Sequence, residues 1–184
     1  MIYYILTIIA GFFVKWVDWI EDDKKGKGWL KFPIAIIYGV IIGYLISQAA
    51  FSELFLGALI AQVFARKIDN IAHVTGFLAS IAAMLYFGLP VIAFSFLFYF
   101  LILAFLDEQK YAGRFEMITK WRLFLKVGAI AVIILGRYDY AIAILLFDGG
   151  YMLFNELRRT FFPDVLIPKA KRKPRRKRRK PKKV

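Results

Sequence analysis

The 184-residue chain is 60% hydrophobic and 18% aromatic, with a mean hydropathy of +0.59, outside the range of an ordinary soluble domain. It has no cysteine, which excludes disulfides, thiolate nucleophiles and cysteine-held zinc or iron–sulfur sites, and its single histidine, His73, excludes a multi-histidine metal centre. The net charge of +14 sits almost wholly in residues 169–184, where twelve Lys and Arg stand with no acid, so the remainder is nearly neutral. Two Asn and three Gln in the whole chain, with no Cys, fit a thermophilic, archaeal-like source.

Apolar segments follow one another from residue 2 to residue 157 with short breaks, each near the roughly 20 residues that a membrane-crossing helix needs. The opening run, MIYYILTIIAGFFVKWVDWI, lacks a basic n-region and a small-residue cleavage site, so it reads as a first span over 2–20 rather than a removable signal. Lys31 and Pro33 introduce a second span over 33–49, with Pro where an early helical turn tolerates it. Gly39 and Gly43 in that span have the spacing that permits close helix approach.

Two further spans, 52–66 and 71–88, are divided by ARKIDNIAH. In the second of them Ala72, Gly76 and Ser80 repeat at four-residue intervals and give a small-residue packing face. Gly88, Leu89 and Pro90 turn into a fifth span over 90–106, which stops at Asp107 and Glu108. Residues 107–122 mix charges and suit a short interfacial helix. A sixth span over 121–136 and a seventh over 138–157, with Asp148 near its middle, lead to Arg158 and Arg159.

Basic residues concentrate in alternate loops: Lys24, Lys25, Lys27 and Lys31; Arg66 and Lys67; Lys110, Arg114 and Lys120; then Arg158, Arg159 and the tail. The other loops hold only Arg137. Under the positive-inside rule this places the chain in the cell membrane, with the N-terminus outside and the C-terminus cytoplasmic. Trp16, Trp19, Trp29 and Trp121 fall at the cytoplasmic boundary, and Tyr3, Tyr4, Tyr86, Tyr138 and Tyr140 at the opposite one. The expected fold is therefore all-α: a polytopic helical membrane protein with about seven transmembrane helices in residues 1–160 and a disordered polybasic tail in 161–184. Six spans result instead if residues 51–88 include a re-entrant element.

Acids collect on the cytoplasmic side. Asp18 and Asp22 are four apart and share a helix face, and with Asp69 and Asp107 they form a candidate metal set. Mg²⁺ suits such a rim, because it takes one or two carboxylates and completes its shell with water and substrate phosphate. Arg66, Lys67, Lys110 and Arg114 are interleaved with these acids and are candidates for phosphate oxygens. His73 stands four after Asp69, the spacing of a proton relay or oriented base, although a lone His at a helix boundary is more often simply hydrogen-bonded there. Asp148, an acid within a span, requires a cavity or a partner, so Asp69, His73 and Asp148 are the catalytic candidates.

These acidic helix ends resemble the two aspartate motifs of the UbiA superfamily of intramembrane prenyltransferases. The resemblance rests on Asp18, Asp22, Asp23, Lys24 and Lys25, and on Asp107, Glu108, Lys110 and Gly113. It implies Mg²⁺-bound isoprenyl diphosphate and transfer of the chain to an acceptor. It covers under a fifth of the sequence, and Val17 stands where the first motif normally carries Asn.

The tail residues Arg175, Arg176, Lys177, Arg178, Arg179 and Lys180 suit anionic lipid headgroups, each contributing about 1 kcal/mol near the surface. Ribosome or other nucleic acid is the second candidate partner. Three functions follow: a Mg²⁺-dependent membrane enzyme on a lipid or isoprenoid phosphate or diphosphate; a non-catalytic scaffold or biogenesis factor acting through the tail; or an ion or proton transporter using Asp148.

Overall fold

The computed structural model describes residues 1–23, 28–109 and 121–161, without the side chains of Asp22, Asp23 and Phe161. Seven α-helices are found among the described residues, with no strand: α1 Ile2–Asp23, α2 Lys31–Ile46, α3 Ser52–Phe64, α4 Ile71–Phe87, α5 Phe94–Asp107, α6 Leu123–Ala131 and α7 Tyr138–Phe161. Short 3₁₀ turns, Gly28–Leu30 and Val132–Leu135, precede α2 and extend α6. The tail, Lys24 to Lys27 and most of the interfacial segment lie outside the described residues.

Local chemistry sets the ends of the helices. Pro33 sits in the first turn of α2, where its missing N–H would have had no partner anyway. Asn70 caps α4 by accepting the His73 N–H at 2.9 Å, and Gly88, with φ of 82°, ends it in a conformation that residues with a Cβ avoid. Residues 88–93 then run without helix, so α5 begins at Phe94 instead of near Pro90.

Successive helices run antiparallel, which their end-to-end contacts establish. At one end Tyr4 of α1 donates to Asp139 of α7 at 2.7 Å, Tyr44 at the end of α2 packs on Phe87 at the end of α4, and Glu53 at the start of α3 meets Tyr140 of α7. At the other end Lys31 at the start of α2 pairs with Glu21 of α1 at 2.8 Å, and Lys67, after α3, pairs with Glu108, after α5, at 3.3 Å. Helix α2 packs on α4, α1 on α7 and α2, α3 on α5, and α6 on α5 and α7.

Small residues bring these backbones together. A Cβ on Gly39 would lie 2.3 Å from the Gly76 carbonyl oxygen, and one on Gly43 would lie 2.4 Å from that of Ser80. The small-residue faces of α2 and α4 therefore meet each other within the chain. The α1–α7 contact is equally close: a Cβ on Gly11 would sit 2.0 Å from the Phe147 oxygen, and one on Gly150 would sit 2.0 Å from that of Ile8.

The interior combines Val17, Leu45, Ile46, Phe51, Leu54 and Phe100 with the buried polar groups Thr7, Ser52, Glu53, Ser80 and Asp107. The outer surface is rich in large apolar side chains, among them Ile36, Val40, Leu78, Phe98, Ile102 and Leu145. Among the described residues two stretches, Ile2–Glu21 and Gly28–Ile46, are long and apolar enough to cross a membrane; α3, α4, α5 and α6 are apolar but shorter. Trp29 and Trp121 are exposed, whereas Trp19 is buried against Phe154.

Candidate functional site

The end of the bundle that gathers the α1 C-terminus, the α3–α4 link, the α5 C-terminus and the α6 N-terminus encloses a cavity of about 560 Å³. Its rim carries Asp18, Lys67, Asp69, His73, Glu108 and Arg122; its floor is Ile42, Leu54, Phe55, Leu59, Phe77 and Phe147. A charged mouth thus stands over an apolar pocket.

Asp18 is the hub of the rim. Its Oδ2 accepts the Tyr151 hydroxyl at 2.6 Å and lies 3.9 Å from Lys15 Nζ, while its Oδ1 lies 3.4 Å from His73 Nε2. His73 is therefore paired with Asp18 of α1, where the sequence spacing suggested Asp69. The reason is local: Asn70 takes the N-cap, helix α4 starts at Ile71, and Asp69 lies ahead of the cap, so no helical turn connects it to His73. Asp69 itself is exposed at the rim.

Helix α3 ends in a Schellman motif. The Lys67 N–H bonds to the Gln62 carbonyl at 3.0 Å and the Arg66 N–H to that of Val63 at 3.1 Å, with Arg66 in the left-handed region at φ 54°. Arg66 thus occupies a position that usually falls to glycine, and Lys67 is delivered to the cavity, facing Glu108. Arg122, just ahead of α6, is the other residue besides glycine with positive φ among the described residues, at 49°. Arg122 lines this cavity itself, and Arg66 stands next to Lys67, which does. Conformations of that kind cost of order 1–3 kcal/mol and concentrate at functional sites.

The remaining candidates are placed as follows. Asp107 is buried, and its two oxygens accept the N–H groups of Phe124 at 3.0 Å and Leu125 at 2.7 Å. It caps α6 from a neighbouring helix. Asp148 pairs with Lys126 of α6 at 2.5 Å, the partner that an acid in mid-helix requires, and Lys126 also lies over the Trp121 ring. The Asp22 side chain, Lys110, Arg114 and the tail residues Arg175 to Lys180 lie outside the described residues.

The sequence reading missed Tyr151, Lys15 and Arg122. None of the three stands in a spacing or motif that singles it out in the sequence. A polar-tipped side chain one helical turn after Asp148 and basic residues just inside two spans were the available signals.

Charge on the rim is nearly balanced. Lys15 faces Asp18, Lys31 pairs with Glu21 and Lys67 with Glu108. Arg122 has no carboxylate within 4 Å among the described residues; its guanidinium lies over the rings of Tyr151 and Phe147, at 5.6 and 5.9 Å. The described residues contain no group of three or more acids and histidines arranged to hold a metal by protein ligands alone. Mg²⁺ does not need one, since one or two carboxylates with water and phosphate complete its shell, and Asp18 with Asp69 supplies carboxylates to one cavity. Comparison with protein-family models, with curated proteins and with solved structures finds no match to this chain.

Proposed function

We propose that the chain is a multi-pass protein of the cell membrane, with its N-terminus outside and its tail in the cytoplasm, and that it acts with Mg²⁺ on a lipid or isoprenoid phosphate or diphosphate. The observation that carries this reading is the charged rim over an apolar floor, which matches a ligand with an anionic head and a hydrocarbon body. The apolar outer surface and the two long apolar stretches support a lipid environment. The alternation of helix ends supports the orientation read from the loop charges, and in that orientation the cavity would open on the cytoplasmic side.

In this reading Asp18, Asp22 and Asp69 hold Mg²⁺, which when bound neutralises and polarises phosphoryl oxygens. Lys67 and Arg66, with Lys110 and Arg114 beyond the described residues, attract the phosphate. His73, which pairs with Asp18, would accept a proton from an attacking group at the rim. The basic tail would hold the anionic headgroups of the cytoplasmic leaflet, with ribosomal or other nucleic acid as the alternative partner.

Orientation is tested by single cysteines, each the only thiol in a chain that has none of its own. On intact cells an impermeant maleimide is expected to label Leu89→Cys and to leave Gly28→Cys unlabelled until the membrane is opened; the reverse pattern overturns the orientation. Function is tested by thermal unfolding of the full chain in detergent. Farnesyl diphosphate with Mg²⁺ is expected to raise the midpoint by several degrees at saturating ligand, and Asp18→Asn with Asp69→Asn should remove the Mg²⁺-dependent part. No stabilisation by any lipid phosphate, or the same shift in the double variant, counts against it.

A further inference from the structure

We infer that Arg122 binds a phosphate oxygen of the ligand, and that Asp107 acts on the ligand only through Arg122, as its positioning residue. The inference rests on the reading of the cavity as a site for a phosphate-headed lipid, and it names the side chain that would recognise the head.

The observation begins in the backbone. Arg122 is the N-cap residue of α6, a position that favours Ser, Thr, Asp or Asn in an extended conformation with the side chain folded back on the helix. Here the residue is a long cation in the left-handed region, φ 49° and ψ 51°, and its own side chain makes no capping bond. Asp107 performs the capping instead, with one oxygen for the Phe124 N–H and the other for the Leu125 N–H. With its helix capped by another residue, Arg122 is free to line the cavity.

The surroundings of the guanidinium indicate what it meets there. Tyr151 and Phe147 present ring faces to it, and no described carboxylate lies within 4 Å. Asp18, Glu108 and Asp148 act on the guanidinium only from beyond 4 Å, so an anionic ligand head would supply the direct hydrogen-bonded partner that no described carboxylate gives it. The planar fork of five N–H donors matches the oxygens of a phosphate in paired hydrogen bonds. Asp18 and Asp69 also line this cavity, and one or two carboxylates are what Mg²⁺ takes from a protein when a phosphate and water complete its shell. The hydrocarbon part would lie against Leu59, Phe77 and Phe147 on the floor.

Affinity of the full chain in detergent with Mg²⁺, measured by titration calorimetry, tests this. The probes are farnesyl diphosphate and dioctanoyl phosphatidic acid, which separate an isoprenoid from a diacyl source, with farnesol as the headless control. Arg122→Gln is expected to weaken the bound phosphate-headed probe roughly ten- to hundredfold, the scale of a charge-assisted hydrogen bond, with farnesol binding unchanged. Arg122→Lys should recover only part, because it lacks the fork. Asp107→Ala should reproduce the loss of head discrimination, and Asp107→Asn, which keeps one acceptor oxygen, should restore some of it. A merely structural role would weaken farnesol and the phosphates alike, and that result overturns the inference. So does Arg122→Gln binding within twofold of the unsubstituted chain, which leaves the broader reading of the cavity standing; if the unsubstituted chain binds neither phosphate probe, both fall. Should Asp107→Ala fail to fold, the two Arg122 variants decide.

Discussion

Glu53→Ala is expected to destabilise the chain by about 3–5 kcal/mol, the range for breaking a buried ion pair from one side, measured by equilibrium unfolding in detergent. Glu53 is 3% exposed. Its Oε1 accepts the Ala93 N–H at 3.0 Å, and its Oε2 accepts the hydroxyls of Ser52 and Tyr140, each at 2.9 Å. Arg137 lies 3.8 Å from the same oxygen and also donates to the Tyr140 hydroxyl. One carboxylate therefore ties together the start of α3, the link into α5, the α6–α7 turn and the start of α7. Truncation leaves the Ala93 amide, the Ser52 hydroxyl and the Tyr140 phenol without their acceptor and Arg137 without its carboxylate, and each unmet buried group carries its own cost. Glu53→Gln should lose less, because the amide oxygen can still accept from Ala93 while the amide nitrogen cannot accept from Tyr140. A Glu53→Ala protein within about 1 kcal/mol of the parent would mean that this knot does not anchor the end of the bundle where α3 and α7 begin.

The second large effect is expected at the α6–α7 contact. Lys126 and Asp148 lie 2.5 Å apart, and their side chains are 20% and 18% exposed. Lys126→Met strands the carboxylate and should cost toward the lower end of about 3–5 kcal/mol, discounted for that residual exposure. Lys126→Met with Asp148→Leu should recover most of the loss, since a packed apolar pair replaces a buried ion pair at little net cost. The double-mutant cycle reads the coupling directly. A double variant no more stable than the worse single variant would contradict this assignment and return Asp148 to the list of candidate functional acids.

The helices and their alternation could be read from the sequence because the signals are local. Pro33, Gly88 and Gly136 mark ends that the backbone needs whatever packs around them. The small-residue faces on α2 and α4 were visible as well, but spacing alone could not show that they face each other. At the site, Asp18, Lys67, Asp69 and His73 were identified from their types and positions and do share one cavity. Their partners were not legible, because partners are set by tertiary packing. Asp69 and His73 were separated by the cap at Asn70, a distinction of one residue in where a helix begins. Asp107 looked like one more acid at a helix end, and its partner is a helix that begins sixteen residues later, at Leu123. One clue was present: no Ser, Thr, Asp or Asn stands at position 122 to cap that helix.

The most direct measurement is photo-crosslinking of the full chain in vesicles with a diazirine-bearing isoprenyl diphosphate in the presence of Mg²⁺. Label carried by Phe55, Leu59 or Phe147 on the cavity floor, and displaced by unlabelled diphosphate, is the predicted result. Label spread over outward-facing residues such as Leu78 and Ile102, and indifferent to competitor, would contradict a phosphate-headed lipid bound in this cavity.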